Sequence, residues 1–166
     1  MESNTFKTEK ISTGSFDLNK WLYGGYEKGV ITMIAGPPGS GKTNMCVLAS
    51  CSQAKKENKV IYIDTEGGFS VERVKQMTGE KEIYEKVLEN IFLIKPVDFE
   101  EQKKSFLKLA ELVKKEKIGL IIIDGMAMHY RLELGDAISL VSMNAEGTDG
   151  KIKDVNRELA RQMKIL

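Results

Sequence analysis

Residues 36–43 read Gly-Pro-Pro-Gly-Ser-Gly-Lys-Thr, an octet with the makings of a cradle for a polyphosphate. A polyphosphate is a dense polyanion, and only backbone can wrap it closely. Glycines at 36, 39 and 41 let amide N–H groups turn inward, because no Cβ bars the conformations required. A helix beginning at the end of the octet adds the positive end of its dipole. Lys42 extends to the outer phosphates as a mobile point charge, and the Thr43 hydroxyl suits Mg²⁺, which takes oxygen ligands. The nucleotide-binding set is therefore Gly36, Pro37, Pro38, Gly39, Ser40, Gly41, Lys42 and Thr43, with Asn44 next along the helix. Lys42 is also a candidate catalytic group, since its ammonium offsets charge during phosphoryl transfer.

Two acidic stretches complete the chemistry. Asp124 closes the apolar run Leu120-Ile-Ile-Ile and would face the crevice at the C-terminal ends of parallel strands, beside Thr43 on the metal. Glu66 lies just past Val60-Ile-Tyr-Ile-Asp64, where a carboxylate can orient and deprotonate an attacking water. Asp64 is a rival for that role. Strand alternation puts both acids on one face, so periodicity does not separate them.

These residues need a scaffold that brings strand ends together. Val30–Ala35, Val60–Asp64, Ile91–Ile94 and Leu120–Asp124 read as strands, the first and last apolar enough to be buried on both faces. Between them the spacing predicts helices: a short one capped by Ser15, one from the phosphate loop to about Glu57, and one capped by Ser70 and closed by Gly79. A weaker helix covers 81–89, and a long one runs from the box Asp98-x-x-Glu101 to about Lys117. Strands alternating with helices imply an α/β fold, a largely parallel sheet with helices on both faces. Residues 132–150, with Gly135, Gly147 and Gly150, read as a mobile loop, and 151–166 as a last helix.

The chain of 166 residues suits one domain, and its 42% hydrophobic and 30% charged content excludes disordered and fibrous classes. Lys+Arg at 25 against Asp+Glu at 24 leaves a net charge of +1, which argues for no particular partner. Cys46 and Cys51 read as small buried residues of a reducing compartment. No run reaches the ~18 apolar residues of a membrane span, and the N-terminus lacks a secretion signal. The expectation is a soluble, cytoplasmic protein with no membrane contact.

Four segments surround the phosphate loop in a fixed order: Ile11-Ser-Thr-Gly14, Tyr62-Ile-Asp-Thr-Glu-Gly67, Phe69-Ser-Val-Glu-Arg73 and Ile123-Asp-Gly-Met-Ala-Met-His-Tyr-Arg131. Together they resemble the archaeal RecA/RadA recombinase family, over roughly residues 11–131. The resemblance implies a RecA-like P-loop ATPase fold, with ATP and Mg²⁺ as cofactors. It assigns water activation to Glu66, adenine stacking to Arg73 and the magnesium side to Asp124. Arg131 matches the approach to a DNA-contacting loop. His129 matches a family histidine there, although a lone buried histidine more commonly serves structure.

Lys151, Lys153 and Arg157 on the last helix could track a nucleic-acid backbone, or could simply be a solvated face. Single-stranded DNA sites usually add stacking aromatics, and Tyr130 is the one aromatic near this loop. The leading expectation is an ATP-binding DNA repair and recombination protein, with weak DNA-linked ATPase activity. Its implied partners are single-stranded DNA, a RadA-type recombinase and, as a homo-oligomer, itself. The alternative is a non-catalytic adaptor switched by ATP and acting through protein contacts. A phosphotransferase ranks lower, because the four arginines, at 73, 131, 157 and 161, form no clustered lid.

The chain also departs from the family pattern. Residues 1–10 read as an N-terminal extension and 11–166 as the ATPase core, with no N-terminal helical domain. Phe6-Lys-Thr-Glu9 ends in Glu where polymerising members dock through Phe-x-x-Ala. A further strand, expected between the phosphate-loop strand and the Asp124 strand, would follow residue 166. The expectation is therefore a core incomplete at its C-terminus.

Overall fold

The computed structural model describes residues 8–142 and 148–166. Residues 1–7, which hold most of the N-terminal extension and Phe6, and residues 143–147 of the expected loop lie outside them.

Two short strands open the chain, β1 (Lys10–Ile11) and β2 (Tyr26–Glu27), paired antiparallel around α1 (Phe16–Trp21). Lys10 and Lys28 pair with Glu27 and Glu9, which ties down part of the segment read as an extension. Ser15 caps α1 through Leu18 N–H, as its position predicts. The turn before it is knitted by Asn19, whose amide accepts from Thr13 N–H at 2.8 Å and donates to Ser12 Oγ at 2.9 Å. Gly14, with φ +88°, then lies against α2 (Lys42–Ala54), where an added Cβ would stand 2.7 Å from Leu48 Cγ. The Ser-Thr-Gly segment thus serves as a buttress for the phosphate-loop helix.

The main sheet contains β3 (Lys59–Asp64), β4 (Ile91–Ile94) and β5 (Ile118–Asp124), all parallel, in the order β4-β3-β5. The helices α3 (Val71–Thr78) and α4 (Lys81–Glu89) link β3 to β4, and α5 (Phe99–Lys115) links β4 to β5. Beyond β5 come α6 (Met128–Ser142) and α7 (Thr148–Met163).

Alternation along β3 assigns each face. Val60 and Tyr62 join Val47, Cys51, Phe69, Val74 and Val87 in one core, on the side of α2, α3 and α4. Ile61 and Ile63 join Phe106 and Leu109 of α5 in the other. Helices therefore cover both faces of a parallel sheet, as the strand–helix order implied. The caps also match: Ser70 Oγ accepts from Arg73 N–H, and Asp98 Oδ1 from Glu101 N–H at 2.7 Å. Glu101 closes its side of the box one residue early, accepting from Val97 N–H.

Three expectations are corrected. Val30–Ala35 is not a buried strand. It runs without ladder bonds, with Val30, Ile31 and Met33 largely exposed. Apolar content does not make a strand without a neighbour to pair with, and among the described residues no strand lies beside this segment or along the free edge of β5. Residues 132–142 are not loop but continue α6, and residues 148–150 already belong to α7. A single Gly135 costs a helix only about 1 kcal/mol relative to alanine, and Ala137 is buried. The strand read as Leu120–Asp124 starts earlier: β5 begins at Ile118 and takes in Gly119, beside a register shift at Lys59/Val60.

Candidate functional site

The phosphate loop precedes α2 with left-handed conformations at Gly39 (φ +76°) and Gly41 (φ +88°), the αL values a nest of amides needs. A Cβ at Gly36 would stand 2.7 Å from Ser40 Oγ, so a side chain there would turn that hydroxyl away. Lys42 donates to the carbonyls of Gly36 at 3.0 Å and Pro37 at 2.9 Å, folding back over its own loop. Pro37, Pro38, Gly39 and Ser40 are exposed, as are Gly36 and Asn44, while Gly41, Lys42 and Thr43 are half-buried.

The strand ends converge on this loop. Thr65 joins β3 to β5, its hydroxyl donating to the carbonyls of Asp124 at 3.0 Å and Gly125 at 2.8 Å. Glu66 follows, exposed, lying against Gly125, where an added Cβ would stand 2.8 Å from its Cγ and 3.0 Å from Oε1. Two residues on, Gly68 sits against Thr43. The turn that carries Glu66 thus packs against both Thr43 and the end of β5.

Asp64 and Glu66, equivalent by spacing, part company here. The Asp64 side chain is fully buried. Its Oδ1 accepts from Gly68 N–H and its Oδ2 from Phe69 N–H, each at 3.0 Å. Lys95, past the end of β4, stands 3.7 Å from the same Oδ2 and donates to Phe69 O. Asp64 is committed to folding the turn, and Glu66 alone is free to meet solvent.

Asp124 is buried, and Tyr62 donates to its Oδ2 at 2.9 Å. Burial first, and then the charge of Asp124, holds the Tyr62 phenol well above its ordinary range. The same two causes push the Cys46 thiol, one turn after Thr43, up to about 12. Arg73 donates to Asn44 Oδ1 at 3.0 Å, which brings α3 to the start of the same helix.

The oxygen donors Thr43, Glu66 and Asp124, gathered through Gly68 and Gly125, fit a hard cation such as Mg²⁺, which keeps waters and phosphate oxygens around one or two carboxylates. Among the described residues no cluster of three or more His, Cys, Asp or Glu forms a metal cage, so such an ion would depend on phosphate for further ligands.

The candidate DNA residues lie elsewhere. Arg131 is exposed on α6, and Lys151, Lys153 and Arg157 are exposed on α7, with Arg157 paired to Asp154 at 3.2 Å. Tyr130 bonds to Asn156, linking the two helices. His129 is buried with Nε2 3.1 Å from Pro96 O, a structural tie. Sequence reasoning missed Tyr62, Lys95 and Gly125. Tyr62 carried a signal, a hydroxyl on the face of the strand that ends in Asp64.

Fold and loop together define the class: a RecA-like α/β core with a phosphate-binding loop before its second helix. The Rad51 family model matches residues 5–158, and the chain belongs to that family. It is similar to the DNA repair and recombination protein RadB of Methanococcus maripaludis strain C7, 48% identical over 122 residues, covering 74% of this chain and 54% of that protein. The RadB of Methanocaldococcus jannaschii is 47% identical over 119 residues, covering 72% and 54%. That of Methanobrevibacter smithii is 35% identical over 166 residues, covering 99% and 63%. The chain thus spans between 54% and 63% of the length of these relatives. Among the described residues no helix is long and apolar enough to cross a membrane.

Proposed function

We propose that the protein binds ATP with Mg²⁺, hydrolyses it slowly, and acts in DNA repair and recombination through single-stranded DNA and a recombinase partner. The observation that carries this reading is the loop of residues 36–43 with Gly68 packed on its Thr43, while Glu66 lies against Gly125, the residue after Asp124. The name of the RadB relatives supports the recombination role.

In this reading the amides of residues 39–43 and the Lys42 ammonium hold the phosphates, and Arg73 with Asn44 flanks the base. Thr43 and Asp124 would hold Mg²⁺, which when bound neutralises phosphate charge. Glu66, exposed beside Gly125, orients a water and takes its proton. Arg131, Lys151, Lys153 and Arg157 offer exposed cations to a phosphate backbone.

The test is calorimetry with ATP and ADP, with and without Mg²⁺, followed by titration of single-stranded DNA at rising salt. Binding of both nucleotides, and DNA binding that weakens with salt, supports the reading. No heat with either nucleotide overturns it.

A second reading, an ATP-switched adaptor, is favoured by the apolar surface of Phe16, Trp21, Tyr23, Ile31 and Met33, all more than 60% exposed. Nucleotide-dependent partner capture without phosphate release would single it out.

A further inference from the structure

Two carboxylates, Asp64 and Asp124, end neighbouring strands opposite one another, and together they offer four oxygens. Three are taken within the protein: Asp64 Oδ1 by Gly68 N–H, Asp64 Oδ2 by Phe69 N–H, and Asp124 Oδ2 by the hydroxyl of Tyr62. Among the described residues no donor reaches Asp124 Oδ1.

The Tyr62 bond follows from strand geometry. Tyr62 pairs with Ile122, and Asp64 with Asp124, so the hydroxyl reaches one step along the shared face. The ring is fully buried and meets the edge of Phe69, with centroids 5.0 Å apart and planes at 65°. Packing alone would be served equally by phenylalanine. What tyrosine adds is one donor, spent on a carboxylate whose other oxygen is left unclaimed.

We propose that Tyr62 is a positioning residue for the magnesium side of the site. Its hydroxyl fixes the Asp124 carboxylate and leaves Oδ1 as the oxygen available to the ion or its water. This rests on the nucleotide site proposed above. Partners of this kind, one bond behind the ligand, typically set metal affinity by 10–100-fold.

The test uses the full chain and ATP as the probe. Calorimetry measures ATP affinity in EDTA and across a Mg²⁺ series, for the wild type and Tyr62→Phe. The expected result is equal affinity in EDTA and about a 10-fold higher Mg²⁺ concentration for half of the gain in the variant. In an Asp124→Asn background, removing the hydroxyl should no longer move the Mg²⁺ dependence.

A Tyr62→Phe protein that melts earlier but follows the wild-type Mg²⁺ curve overturns the inference, because the hydroxyl would then serve stability alone. So does a shift that persists beside Asp124→Asn. If Tyr62→Phe does not fold, Phe69→Leu loosens the ring while keeping the hydroxyl. A smaller shift in the same direction then supports the inference, and no shift overturns it. A wild type that binds ATP with no gain from Mg²⁺ sinks the metal site and the inference together, whereas a normal wild-type curve with an unmoved variant sinks only the inference.

Discussion

Gly68 and Thr43 touch backbone to side chain: a Cβ at residue 68 would stand 2.8 Å from Thr43 Cγ2 and 3.2 Å from its Oγ1. The turn that carries Glu66 can approach the phosphate loop only because residue 68 has no side chain.

The first prediction follows from that contact. Gly68→Ala should weaken Mg²⁺-dependent ATP binding by displacing Thr43 or the turn. Adding Thr43→Ser removes the methyl that clashes and keeps the hydroxyl, so affinity should recover in the double variant. Calorimetry on the four proteins of the cycle reads this directly. A double variant no better than Gly68→Ala alone would show that the contact does not set the site.

The two acids near the turn should respond differently. Glu66→Gln should keep its stability and nucleotide affinity while losing turnover, measured as phosphate release. Asp64→Asn should lower stability by about 1.5–3 kcal/mol in urea unfolding, because a charged acceptor of two amides is lost and an amide NH₂ is set against an N–H donor. Reversed outcomes would exchange their roles.

The cysteines define an alkaline window. Burial and the charge of Asp124 raise the Cys46 thiol from its ordinary 9.0 to about 12, and burial raises Cys51 to about 11. A thiol harder to ionise when folded contributes stability that is complete below pH 9. That contribution is lost as pH rises toward 11–12, where the unfolded chain has already released its protons. Melting temperature should therefore fall over that interval, and less steeply in the Cys46→Ala, Cys51→Ala protein. Both thiols should alkylate slowly at pH 8 until denaturant is added.

Gln102 and Gln162 make a buried pair at 2.8 Å between α5 and α7, and Gln102 also donates to Met126 O, just past Asp124. Among the described residues, Gln102 Oε1 and Gln162 Nε2 are buried with no partner. Gln102→Leu alone should cost about 1–3 kcal/mol, because it strands the Gln162 amide. Converting both to leucine should recover much of that loss. Equal and additive losses in urea titrations would contradict it.

Local signals carried far in this chain where the physics is local. Ser15, Ser70 and Asp98 cap the helices their positions predicted, and β4 keeps the bounds Ile91–Ile94. Reading failed where the outcome depends on distant neighbours. Val30–Ala35 has the composition of a core strand, yet pairing decides whether a strand exists. Gly135 resembled a breaker, but packing of α6 on α7 outweighs its modest helix penalty. At the candidate site, the left-handed turns of the loop at Gly39 and Gly41 were legible because glycine itself permits them. Spacing alone did not separate Asp64 from Glu66, because their difference depends on which amides fold back after the strand ends.

Lys42 closes on two carbonyls of its own loop, and this bears on which anions can enter. Two of its three N–H donors are engaged, so an anion that stays clear of the loop meets a single donor. A small ion such as chloride presents a single point of contact and gains little from the exchange. A chain of linked phosphates offers a row of oxygens to the lysine and to the waiting amides together. On the nucleotide site proposed above, the folded-back lysine would thus favour long polyanions over single small ions.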